Sequence, residues 1–171
     1  MPALTAPALA AATLLALAGA QKLLDPTMTV GALRSLHLPS FPVLVRAGSA
    51  VELALGVAAA SIGGSALWVL VAFSYSAFAV FVLVALRAGT MLGSCGCFGR
   101  EDTPPNPIHV GLNLVLAGFA GAAARWSPTA PVEVLIDHPG QGVVVAGLVA
   151  LAVYLLYAAY VVLPRTLAAT R

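Results

Sequence analysis

Apolar residues in this chain run in long unbroken stretches instead of recurring at the spacing of a half-buried soluble helix. Five stretches approach or reach the ~20 residues that a helix needs to cross the hydrocarbon of a bilayer. They lie near residues 4–24, 43–62, 66–87, 108–124 and 143–163. Pro, Gly and charged residues gather between them, at 25–42, at Gly63-Gly64, at 89–107 and at 125–142, and these segments are expected to be loops. Asn106 followed by Pro107 reads as an N-cap with proline in the first helical turn, so the fourth helix should begin there, and Pro164 should stop the fifth. Small residues at Ala18 and Ala20 resemble a signal cleavage site. No basic segment precedes the first stretch, however, and Lys22 follows it, so it reads as a retained span. Without a repeat of about 20–50 residues or a low-complexity tail, the expectation is a single integral membrane domain over 1–171. The fold class is all-α, a multi-pass transmembrane helical bundle.

Composition agrees. Of 171 residues, 61% are apolar and 8% charged, against about a quarter charged in an ordinary soluble domain. With a mean hydropathy of +1.01, the outer surface must face lipid, so the bilayer is the first expected partner. Eight basic and six acidic residues give a net charge of +2. That leaves no basic stripe to grip a phosphate backbone and excludes nucleic acid as a partner. If the spans alternate, Lys22, Arg34, Arg46, Arg87, Arg100, Arg165 and Arg171 share one side of the membrane and Arg125 alone holds the other. This asymmetry predicts the amino terminus outside and the third loop and tail in the cytoplasm, and the plasma membrane is the expected location.

The third loop carries the candidate chemistry. It reads Gly93-Ser94-Cys95-Gly96-Cys97-Phe98-Gly99-Arg100 and holds both cysteines of the chain. A bond between Cys95 and Cys97 closes a very small ring that departs from relaxed disulfide geometry. Strain makes such a bond easier to reduce, which suits exchange better than stapling. Gly96 supplies the backbone freedom the ring needs. Arg100 and the start of the fourth helix favour a thiolate, while Glu101 and Asp102 oppose it. Three uses remain open for the pair: thiol–disulfide exchange, soft-metal binding and a structural turn. The metal alternative is Cu(I), with His109 and Met91 joining Cys95 and Cys97; no second cysteine pair exists to complete a zinc tetrahedron.

Glu52 lies about nine residues inside its span, roughly 14 Å at helical rise, where a lone carboxylate is costly. It must be neutral or paired. Lys22 can reach it by snorkelling from the end of the first span, with Arg46 and Asn113 as alternatives. Lys22, Arg46, Glu52, Arg87, His109 and Asn113 all fall in the half of the membrane nearest the cysteines. His109, at a helix entrance, reads either as a capping residue or as an acid–base partner of the thiols. Tyr154, Tyr157 and Tyr160 recur every three residues and read as a packing stripe, with a quinone pocket as the alternative. Gly48, Glu52 and Gly56 suggest a close helix contact. His37 and His138 have no companion ligands.

Taken together, Gly19-Ala20-Gln21-Lys22-Leu23, Val51-Glu52-Leu53-Ala54-Leu55-Gly56, Cys95-Gly96-Cys97-Phe98-Gly99 and Asn113 resemble the methylamine-utilisation MauE family within the DoxX-like membrane proteins. The resemblance runs from about residue 4 to residue 125, giving four family-like helices and a fifth C-terminal span. It implies a redox-associated multi-pass bundle. With the residue-level reading, the expected site is Cys95 and Cys97 carrying the exchange, with Glu52, Lys22, Arg100, His109 and Asn113 supporting. In that family the role is tied to maturation of a disulfide-rich amine dehydrogenase subunit outside the cytoplasm; the resemblance carries over the thiol chemistry and not that subunit, so the expected partner is a thiol or disulfide protein of unassigned identity. No resident cofactor is expected; quinone and Cu(I) are the alternatives.

Overall fold

The computed structural model describes residues 4–88, 104–126 and 139–169. Among these residues all regular structure is helical: α1 (Thr5–Leu24), α2 (Thr27–Ser35), α3 (Pro42–Ser61), α4 (Ser65–Arg87), α5 (Pro107–Trp126) and α6 (Pro139–Ala169). Five of these, all except α2, are long and apolar enough to cross a membrane. The predicted spans match them to within a few residues, because an uninterrupted apolar run is the sequence feature least open to tertiary override.

Antiparallel pairing arranges the bundle. α1 packs along α3, α4 packs along α5, and α1 also lies against α5 and α6. Two glycines set the α1–α3 distance. A side chain on Gly19 would begin 2.6 Å from the Leu53 amide nitrogen and 2.7 Å from the Ser49 carbonyl, and one on Gly56 would begin 2.5 Å from the Ala12 carbonyl. The backbones therefore touch, as small residues allow between membrane helices. Gly48, expected to share in this contact, instead faces open space. Between α4 and its neighbours, Ser65 Oγ donates to the Ala124 carbonyl at 2.7 Å and Tyr75 Oη to the Ala11 carbonyl at 2.7 Å. The core is built on α1, whose Ala8, Ala11, Ala12, Leu14 and Leu15 are buried with Trp68, Val71 and Leu116. Val51, Phe73, Val80, Leu151 and Tyr154 project outward from the other spans, as a lipid-facing surface requires.

Two expectations are corrected. The segment 25–42 is not simply a loop, since α2 occupies its middle. The Asp25 carboxylate starts α2 by accepting the Thr27 amide at 3.1 Å and the Thr27 hydroxyl at 2.5 Å, and Ala32 packs on Ala85 beside Phe81. The helix ends in a Schellman turn, with the Leu38 amide reaching the Leu33 carbonyl, the His37 amide reaching Arg34, and His37 at φ 57°. Nine residues are too few to register as a membrane run. Nor does Pro164 stop the last helix: the apolar span ends at Leu163 as expected, but α6 continues to Ala169. Proline removes one N–H from a helix, and the chain continues when another donor serves the carbonyl left behind; that donor is identified below.

Candidate functional site

At one end of the bundle stand the C-terminal ends of α1 and α4, the N-terminal ends of α3 and α5, and the later part of α6. α4 ends and α5 begins at this same end, and residues 89–103 lie between them in the sequence. The predicted site residues Cys95, Cys97, Arg100 and Met91 fall in that segment, outside the described residues, as does His138 in the 127–138 segment. The remaining predicted residues are described, and they form two clusters.

In the first cluster Lys22 Nζ meets Glu52 Oε2 at 2.5 Å. Lys22 is 2% exposed, so its charge is removed from both lipid and water. Its ammonium also sits over the Phe78 ring, 4.6 Å from the centroid, where the ring's negative face adds to the carboxylate. The glycine contact is what brings the pair together: Gly19 lies one turn before Lys22, and Glu52 Cβ is among the atoms nearest Gly19. Ser49, one turn before Glu52, is buried and donates to the Val45 carbonyl at 2.7 Å. Of the partners considered for Glu52, Lys22 is the one that the structure pairs with it.

The second cluster joins α5 to α6. Asn106 caps α5 as expected, its Oδ1 accepting the Ile108 amide at 3.0 Å. The Asn106 amide donates to His109 Nδ1 at 3.2 Å, and His109 Nε2 lies 3.0 Å from the Tyr160 carbonyl. A carbonyl only accepts, so Nε2 carries the proton and Nδ1 is the acceptor. The imidazole also stacks on the Tyr160 ring, with centroids 5.6 Å apart and planes 11° from parallel. One turn further along α5, Asn113 Nδ2 donates to the His109 carbonyl at 2.8 Å and Asn113 Oδ1 accepts the Tyr160 hydroxyl at 3.0 Å. His109, Asn113 and Tyr160 are all buried. Both ring nitrogens of His109 are thus engaged, and coordination of Cu(I) would need one of these bonds to break.

A small cavity lined by Leu14, Leu15, Ala18, Tyr75, Phe78, Asn113 and Tyr160 lies where the clusters approach each other. Phe78 belongs to the first cluster and Asn113 and Tyr160 to the second, so one wall is shared. Three participants escaped sequence reasoning: Phe78, the side chain of Tyr75, and Tyr160 as a hydrogen-bonding residue. The tyrosine series does not act as one stripe, because Tyr160 is buried and Tyr154 is 67% exposed. Steps of three residues rotate successive tyrosines around the helix, which carries Tyr154 to the outer face. A sequence signal for Tyr160 did exist in Pro164, four residues on, which has no N–H to give to its carbonyl.

Five apolar spans around a buried polar end define a multi-pass helical membrane protein. Residues 1–126, covering α1 to α5, match the family model described as methylamine utilisation protein MauE. With that match over most of its length, the chain belongs to the MauE family. No match was found among curated proteins or among solved structures.

Proposed function

We propose that this MauE-family membrane protein takes part in thiol–disulfide transfer through Cys95 and Cys97. One observation carries the reading: the buried polar residues Lys22, Ser49, His109 and Asn113 all lie in the half of the bundle from which the Cys95-Gly96-Cys97 segment departs. The rest of the described interior is almost wholly apolar, so the costly groups are concentrated at the end where α4 stops and α5 starts, the two helices that flank the cysteines in sequence.

In the forward direction a thiolate of the reduced pair attacks a partner disulfide. One partner sulfur leaves as thiolate, and a mixed disulfide forms. The second cysteine attacks that intermediate and releases the other partner sulfur. The pair has then lost two electrons and become a disulfide, and the partner disulfide has become two thiols; the reverse sequence oxidises a partner dithiol. A second dithiol or a quinol would return the pair to two thiols after the forward sequence, and a second disulfide or a quinone would re-form its disulfide after the reverse. The partner is a disulfide-containing protein, in keeping with the family's link to amine dehydrogenase maturation. Lys22, Glu52, His109 and Asn113 hold the scaffold on which the segment is mounted, and Arg100 favours the thiolate. Cu(I) binding is the competing chemistry, and metal analysis of the purified protein separates the two.

The plasma membrane is the proposed location, and the charge asymmetry favours the cysteines on its cytoplasmic side. Labelling of intact cells with a membrane-impermeant maleimide tests this arrangement. The expected result is that Cys95 and Cys97 react only once the membrane is opened. Labelling of intact cells that follows external reduction would place an oxidised pair outside and reverse the topology. A Cys95→Ser variant with undiminished function would end both the exchange and the copper readings.

A further inference from the structure

We propose that Tyr160 and Pro164 are positioning residues for the α5 end of this site, acting through His109 and Asn106. This rests on the thiol–disulfide reading above for its functional consequence, but the arrangement itself is carried by geometry. The family match ends at residue 126, before α6 begins, so nothing about the family region assigns α6 a part in the site.

In an α-helix the carbonyl of residue 160 accepts the N–H of residue 164. Residue 164 is proline, which has no N–H to give to that carbonyl. Within a membrane such a carbonyl needs another donor. His109 Nε2 supplies it at 3.0 Å, and the helix runs on to Ala169. Because Nε2 gives its proton to this carbonyl, Nδ1 is left as the acceptor that holds the Asn106 amide. The Tyr160 hydroxyl closes the loop through Asn113, which returns to the His109 carbonyl. A proline in α6 thereby fixes the tautomer of a histidine in α5, and that tautomer pins the residue at which the chain enters α5.

The experiment uses the full-length protein in nanodiscs with 15N-labelled histidine. Only three histidines are present, and the His109 signals are assigned by their loss in His109→Gln. The wild type is expected to hold His109 as the single Nε2–H tautomer. Pro164→Ala restores the missing N–H, which then competes with His109 Nε2 for the Tyr160 carbonyl, so a mixture of tautomers is expected. The same substitution favours the helix, and thermal unfolding should show equal or higher stability, which removes misfolding as an explanation. Alkylation rates of reduced Cys95 and Cys97 supply the functional readout, with a change of about fivefold expected for one lost ordering hydrogen bond. Tyr160→Phe keeps the stacked ring and should give a smaller shift in the same direction. An Nδ1–H tautomer in the wild type, or no tautomer change in Pro164→Ala, overturns the proposal. A tautomer change with unaltered alkylation overturns the positioning role. If the wild-type cysteines prove incapable of exchange, the functional reading fails while the tautomer result still decides whether α6 sets His109.

Discussion

Glu52 and Lys22 show how far a single residue can be read before its surroundings are known. A carboxylate deep in an apolar run demands a partner, and the demand itself is legible in the sequence. Which partner answers depends on backbone spacing, and here Gly19 lets α3 approach until Lys22 Nζ reaches Glu52. Breaking a buried ion pair from one side strands the remaining charge, at about 3–5 kcal/mol, whereas replacing both members with apolar residues is often neutral. Lys22→Met and Glu52→Gln should therefore each lower the unfolding temperature in detergent, and Lys22→Met with Glu52→Leu should recover most of the loss. Additive losses in the double variant would show that the pair is not coupled. Phe78, beneath the ammonium, leaves no comparable mark in the sequence, since an aromatic residue in an apolar span usually only packs.

At the scale of elements, the glycines separate into those that touch a neighbour and those that do not. Gly19 and Gly56 sit against the backbone of the facing helix, and Gly48 and Gly118 have nothing near them. Gly19→Ala and Gly56→Ala should each push α1 from α3 and cost about 1–3 kcal/mol as overpacking does. Gly48→Ala should be neutral or mildly stabilising, because alanine is the better helix former. Thermal unfolding of the three purified variants checks this, and equal behaviour at positions 19 and 48 would count against the packing described. Element boundaries divide in the same way. Asn106 and Pro107 mark the start of α5 through local chemistry, and the cap bond is present. The end of α6 differs from the local signal: proline reads as a stop, and the helix runs past it with a donor from another helix serving the Tyr160 carbonyl.

Across the whole molecule, α1 occupies the centre while α3, α4 and α6 turn large apolar side chains outward. In native membranes an apolar carbene reagent dissolved in the bilayer should label residues such as Phe73, Val80, Leu151 and Tyr154. It should spare Leu14, Leu15 and Trp68, with peptide mapping as the readout; strong labelling of α1 would contradict a central position. Polarity is also distributed at this scale. The buried polar groups collect at the end of the bundle where the cysteine segment is attached, and α6 contributes to that end although it lies beyond the family match.

The sequence by itself determined the class of protein, the number of spans, the cysteine pair and the end of the membrane at which polar residues gather. Each follows from short-range information: run length against bilayer thickness, residue type, and the alternation of successive spans. Tertiary structure alone decided that Lys22 answers Glu52, that Gly56 and not Gly48 makes the helix contact, that α2 folds between two spans, and that Tyr160 turns inward to His109. Those outcomes depend on which faces meet and how closely the backbones approach. An all-apolar helix has little amphipathic pattern from which its facing side can be read.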